Sequence, residues 1–402
     1  MQIVMKLSGC LPVLVLLLAA VSSSQAKYGG GSGTADDPYQ IWTAEQMNTI
    51  GANKDDWGER FKLMADIDLS GFDGQWGRPA FNMIAPGSQN TFTGVFDGNG
   101  HTISQLTIRG GDYLGLFGQI KYPAEIKNLG LLDIDVTGSG YFVSCVGGLV
   151  GSNGTYLGST KGGTITNCYG TGMVLGTGGQ ANFFGGLVGA NYGEVSQCYY
   201  TGVVKGAWHV GGLVGGNGDF MFPQGVVRYC YSTGTVQSIN QVVGGLVADN
   251  YGTVTCSYSN AAVSSDLQSA PWTGGLVAAN HGTVTNCYSS GAVRGMGWYA
   301  GGLTCWSMGT VTNCFWDTQT SGQATSSGGT GKTTAEMRRA STFLAAGWDF
   351  VGETTNGTAE TSGGLMRARA IPNCGGASRP KAPMAAAAVP RKTRTKSGPP
   401  TR

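Results

Sequence analysis

Between residues 92 and 317 the apolar positions come in short runs of Val, Ile, Thr and Tyr divided by glycine, a pattern of strands and not of helices. The tripeptide Gly-Gly-Leu starts at Gly147, Gly185, Gly211, Gly244, Gly274 and Gly301, at intervals of 38, 26, 33, 30 and 27 residues. A second marker is an aliphatic residue three positions before a slot usually filled by cysteine. It occurs at Ile103/Leu106, Ile126/Leu129, Ile165/Cys168, Val195/Cys198, Val227/Cys230, Val254/Ser257, Val284/Cys287 and Val311/Cys314. Eight occurrences at variable spacing predict a solenoid with its insertions in loops.

Each unit offers two or three strand-like runs, such as GGLVG, EVSQCYY and GVV. Strand side chains alternate with period two, so two inward residues three apart require a corner between them. Equivalent strands of successive units then stack in parallel at ~4.8 Å. The predicted fold class is all-β: a right-handed parallel β-helix of about eight rungs with a small N-terminal α/β cap.

The flanks are not repetitive. Residues 1–26, with Lys6, an apolar run from Leu11 to Val21 and small residues ending at Ala26, form the pattern of a secretory signal. That run is short of the ~20 apolar residues a membrane-spanning helix needs. The expectation is therefore a secreted or cell-surface protein without a transmembrane segment. In the cap, residues 27–91, Thr43 followed by Gln46 predicts a helix start with Gly51 as its stop, and Phe61 to Leu69 predicts one strand. The repeats occupy 92–317, a C-terminal cap segment 318–357 and a disordered basic tail 358–402. Helical signals recur at 334–346.

Charge changes the picture little. Only 12% of residues are charged and the formal net charge is +2. Residues 361–402 hold nine Lys/Arg and no Asp/Glu, so the rest of the chain carries a balance of −7 and no basic groove for nucleic acid. The cysteine slot accepts Leu106, Leu129, Cys168, Cys198, Cys230, Ser257, Cys287 and Cys314. That is tolerance for small or medium apolar groups, so the cysteines read as structural core thiols, with Cys256 pointing outward. Export permits disulfides, but stacked side chains run parallel where a disulfide needs them to converge. Asn153, Asn191, Asn217, Asn250 and Asn280 stand six residues after each Gly-Gly-Leu start, with Ser307 in the sixth place, and predict amides stacked rung to rung.

Taken together, GGLVG-x-N and G-x-V-x-x-C-Y-x-x-G-x-V resemble GLUG-motif repeats. Residues 92–108 are similar to the segment that leads into such repeats, and residues 314–350 to the run that closes them in exported bacterial proteins. The resemblance implies surface, adhesin-type modules. Such repeats also accompany the catalytic part of immunoglobulin A-cleaving metallopeptidases, which needs H-E-x-x-H; none of His101, His209 and His281 begins that motif. The resemblance also implies a continuation of the form D-I-W-R-L beyond residue 357. Codons for Glu360 to Leu365 can be chosen so that reading two bases later supplies it, which points to a frameshift near Ala359.

Other chemical signals are weak. GGTGKTT, from Gly328 to Thr334, has Ser326 where a phosphate-binding loop needs glycine. FDGNGH, from Phe96 to His101, reads as a turn and not as a calcium site. No metal and no cofactor is expected. A polysaccharide lyase or glycosidase on a parallel β-helix is the rival reading, but the acids between Thr137 and Trp316 are only Glu194, Asp219, Asp249 and Asp266, in different units. Asp66/Asp68 and Asp133/Asp135 read as solvated strand edges. Large aromatics precede several Gly-Gly-Leu starts: Phe183, Phe184, Trp208, Trp272, Trp298 and Tyr299. The expected function is a non-catalytic, adhesin-like scaffold binding a polysaccharide or extracellular protein, with Trp208, Trp272, Trp298 and Tyr299 as candidate contacts.

Overall fold

A computed structural model describes residues 27–87, 91–139, 145–155, 160–176, 183–239, 241–265, 271–295 and 299–348. The expected signal segment 1–26, the tail 358–402 and Trp298 lie outside the described residues. The chain coils into a parallel β-solenoid. One coil runs through Glu194–Ser196, Tyr199–Gly206, His209–Gly211 and Val214–Asn217. Stacking these four strands coil on coil makes sheets 1 to 4, of ten, thirteen, six and seven strands, with parallel pairing throughout.

Two backbone devices turn one strand into the next. Between sheets 1 and 2 the residue before the cysteine slot is left-handed in seven successive coils: Asn128, Asn167, Gln197, Tyr229, Cys256, Asn286 and Asn313, with φ between 49° and 57°. This is the corner that the three-residue spacing demanded. Between sheets 3 and 4 the glycine pair makes the bend. A Cβ on Gly211 would lie 1.9 Å from the Val214 carbonyl oxygen, and one on Gly212 2.0 Å from that of Gly245, so no side chain fits at either position.

These devices revise the strand count. GGLVG is two strands, because the glycine pair breaks it, and CYYTGVV continues as the single strand Tyr199–Gly206. EVSQCYY breaks at Gln197. The Ile103/Leu106 pair belongs to a different corner: Ile103 lies opposite Leu131 and Thr107 opposite Asp135, both in sheet 2. Seven true occurrences remain, and the fold has about seven turns.

The solenoid also starts earlier than the expected cap boundary. Tyr39–Ile41 already pairs in parallel with Arg60–Leu63, and that strand with Val95–Asp97. The helix Ala44–Ala52 is capped by Thr43, which accepts from the Gln46 amide, but it passes through Gly51 instead of stopping there. Glycine is needed because a Cβ would lie 1.9 Å from the Asn82 carbonyl. The run from Phe61 to Leu69 divides into Arg60–Leu63 and Ile67–Asp68. At the other end Thr330–Lys332 adds a last strand to sheet 2, and Phe315, Met337, Phe343 and Trp348 close over it. GGTGKTT is thus a closing strand followed by the capping box of Thr333 and Glu336.

One apolar column fills the interior, with Phe184, Leu187, Val188, Val195, Cys198, Tyr200 and Val204 from a single turn. A second, thinner seam lies between sheets 3 and 4, where Val242, Ala248, Ala278 and Ala279 pack with Trp272 and Trp306.

A left-handed conformation costs a bulky L-residue about 1–2 kcal/mol and asparagine less. Tyr229→Asn is therefore expected to raise stability by about 0.5–1 kcal/mol, read as a higher urea midpoint at unchanged m-value.

Candidate functional site

The asparagine column is continuous. Each side-chain amide donates to the Oδ1 of the next at 2.8 Å, from Asn153 through Asn191, Asn217 and Asn250 to Asn280, which donates to Ser307 Oγ at 3.0 Å. The amides also serve the turn into sheet 1: Asn153 Oδ1 accepts from the Gly163 N–H at 2.7 Å, and Asn217 Nδ2 donates to the Gly225 carbonyl at 3.1 Å. All five are fully buried, where hydrogen bonds reinforce one another along a chain.

The cysteine slot is more polar than the sequence suggested. Cys198 Sγ donates to the Ser196 carbonyl at 3.1 Å and accepts from the Cys168 N–H at 3.4 Å. Ser257 repeats both contacts, donating to the Thr255 carbonyl at 2.7 Å and accepting from the Cys230 N–H at 3.0 Å. Cys287 and Cys314 follow the same scheme. The slot thus satisfies backbone groups exposed by the corner, and Cys and Ser are equivalents there for that reason. Cys168, Cys198, Cys230, Cys287 and Cys314 are free and buried. Burial pushes the thiols of Cys198 and Cys287 well above the ordinary range, and that of Cys145 in the seam to about 12. Cys256 occupies the left-handed corner itself and is buried there, outside the central apolar column.

The tyrosine that follows the slot forms a third column. Tyr169, Tyr199, Tyr231, Tyr258 and Tyr288 stack with centroids 4.6–5.0 Å apart and planes within 7°. Their faces cover one another. Beside them on sheet 2, Thr201 and Thr233 are bonded at 3.0 Å, and Met173 and Val203 are 42% and 38% exposed.

The expected aromatic edge is only partly assembled. Phe184 points into the core instead of outward. Trp272 and Tyr299 share one column of sheet 3, since Thr273 lies opposite Ala300 and Tyr299 is exposed. Trp272 stacks on Trp306 at 5.3 Å. Trp208 precedes His209, which shares the Trp272 column, so Trp208 stands one position off it, half-buried with its indole N–H unpaired. Sequence reasoning passed over the turn between sheets 4 and 1, where Tyr122, Phe220, Met221 and Met308 are exposed. Large apolar residues inside the insertion GDFMFPQG were the available signal.

Several of the acids singled out in the sequence are held in structural contacts. Asp135 is bound to Arg109, and Glu194 accepts from Arg228 Nε at 2.8 Å. Asp97 accepts from the Asn99 N–H and from Asn128 Nδ2, which makes FDGNGH a turn. Asp66 accepts from the Thr102 N–H, which holds its carboxyl below the usual range. No cluster of three His, Cys, Asp or Glu able to hold a metal ion exists among the described residues. A group of titratable side chains that does converge is His209, Asp249 and His281, in the seam.

Comparison with known proteins agrees with this architecture. Residues 206–237 match the GLUG motif. The chain is 37% identical over 164 residues to halomucin of Haloquadratum walsbyi, covering 40% of this chain and 2% of halomucin. It is 35% identical over 128 residues to a protein of Evansella cellulosilytica described as a candidate Gly-rich membrane protein, covering 31% of this chain and 14% of that one. The chain thus spans a small fraction of either relative. A solved structure from Bacteroides ovatus, described as a candidate immunoglobulin A1 protease, superposes with a TM-score of 0.52 over 82% of this chain and 93% of that one, at 20% identity, a likeness of fold alone. The chain thus carries a GLUG motif at residues 206–237 within a β-solenoid fold. No helix among the described residues is long and apolar enough to cross a membrane.

The two buried columns predict different costs. Cys198→Ala, which leaves a small void and the Cys168 N–H unmet while the Ser196 carbonyl keeps the Asn167 N–H, should lose about 1–2 kcal/mol, and Cys198→Ser less than half of that. Asn217→Ala, which cuts the amide column in its middle, should lose about 2–4 kcal/mol. Urea titrations of the three variants check the order.

Proposed function

We propose that the protein is a non-catalytic, exported, adhesin-like scaffold that binds an extended partner, glycan or protein, along its length. The observation that carries this reading is the outer face of sheet 2. Tyr169, Tyr199 and Tyr231 form a half-exposed stripe there, flanked by Thr201 and Thr233 and by exposed Met173 and Val203. A partner with its own regular repeat meets the same weak contact on each coil, and several linked contacts add avidity that one lacks. The stripe includes few charges, so binding relies on apolar contact and on hydroxyl and backbone hydrogen bonds.

The relatives lend support from their names alone, a mucin and a membrane protein. The Trp272 and Tyr299 column of sheet 3 is the second candidate contact, and exposed Tyr299 is its accessible ring. Asp135 and Glu194 are held in ion pairs and Asp66 and Asp97 in turns, so these acids lend the lyase or glycosidase reading no support.

A glycan array and a panel of matrix proteins should yield a ligand whose binding changes little between low and physiological salt. Val203→Lys and Tyr299→Ala, both at exposed positions, should weaken it at unchanged thermal stability. Equal binding by both variants, or depolymerisation of a polysaccharide by the wild-type protein, would overturn the proposal.

A further inference from the structure

Three side chains from successive coils meet in the seam between sheets 3 and 4. His209 comes from a sheet 3 strand, Asp249 from the sheet 4 strand one coil later, and His281 from the turn after sheet 4 one coil later again. The two oxygens of Asp249 face the two imidazoles separately: Oδ2 lies 3.9 Å from His209 Nε2 and Oδ1 3.8 Å from His281 Nε2. Both gaps exceed hydrogen-bond length. Rings roof the group, with Phe183 stacked on His209 at 4.9 Å, and Tyr251 on His281 at 4.1 Å, with Trp306 edge-on to it at 4.6 Å. Asp249 Oδ1 and His209 Nδ1 are buried without a hydrogen bond.

The rest of the column makes this composition unusual. The residues opposite Asp249 are Gly216 and Ala279, and those opposite His209 are Phe183 and Val242. From the elements packed against the group, the other titratable or charged side chains are Lys205, Asp219, Tyr251 and Cys305; the tyrosines of Tyr199–Gly206 and Tyr231–Ser238 belong to the stack or the core. Asp219 is turned to its own loop, accepting from the Met221 and Phe222 N–H groups.

We propose that His209, Asp249 and His281 bind a single proton jointly across three coils and so keep the seam electrically neutral in weakly acid surroundings. A lone carboxylate in this place is a buried charge with no partner, and a lone imidazolium likewise. One proton held on the carboxyl, between two neutral imidazoles, removes both costs. Burial acts in this sense on each group, raising Asp249 to about 7 and lowering His209 to about 4. The two titrations oppose each other. Asp249, raised on folding, contributes stability at low pH that is lost as pH rises to about 7. His209, lowered on folding, contributes stability above its unfolded value that is lost as pH falls toward about 4.

Removing either partner should therefore uncover the slope of the other. Between pH 4.5 and 8, the melting temperature of Asp249→Asn relative to wild type should rise with pH, and that of His209→Gln should rise as pH falls. Offsets that do not change with pH in either variant would overturn the proposal. So would an Asp249→Asn offset that falls with pH, the mark of a permanent ion pair. Should a variant not fold, NMR titration of the three histidines in the wild-type protein decides: His209 is expected neutral down to about pH 5, and a His209 that titrates at the ordinary histidine value of about 6.5 would overturn the proposal.

Discussion

Parallel stacking in register places every side chain one strand spacing from its counterpart in the next coil, so each buried column must be made of residues that tolerate themselves. The remaining features of the chain follow from that constraint. Asparagine bonds to asparagine at 2.8 Å because its amide carries a donor and an acceptor that point along the stack. Tyrosine lies face to face on tyrosine. Cysteine and serine can alternate because both donate down to a strand-end carbonyl and accept from the N–H of the coil before. No charged column runs through the described coils, in keeping with the low charge of the repeat region.

The exceptions then locate what the fold alone does not require. Asp249 stands between Gly216 and Ala279, and one sheet 3 column runs Cys145, Phe183, His209, Val242 and Trp272 without repeating a residue. Each exception lies in the seam or on an outer face, not in the central column. The interior therefore serves every coil alike, whereas chemistry that differs between coils is confined to the outside.

Much of this is legible in the residues themselves. The Gly-Gly-Leu starts, the asparagine six positions on, and the spacing from aliphatic residue to slot are local patterns, and each maps onto one column. The misreadings have a common cause: a one-dimensional spacing does not say which corner it spans. Ile103/Leu106 has the right interval but turns within sheet 2, and GGLVG contains a bend invisible without the approach of Gly211 to the Val214 carbonyl. The polarity of the slot was hidden for a related reason, since the N–H it receives comes from another coil. Exposure was the least legible property. Phe183 and Phe184 are adjacent in sequence and face opposite ways, and Phe220 and Met221 are exposed through a loop that no periodicity describes.

If register is what holds the coils together, one whole coil is removable and a fraction of a coil is not. Excision of residues 244–273, the interval between two Gly-Gly-Leu starts, joins Val243 to Gly274 and brings Asn217 onto Asn280, Cys230 onto Cys287 and Tyr231 onto Tyr288. Excision of 244–274, one residue more, shifts every later column. Circular dichroism with urea unfolding should show the first protein folded, β-rich and cooperative, and the second without a cooperative transition. Two deletions that behave alike, both folded or both unfolded, would contradict the account.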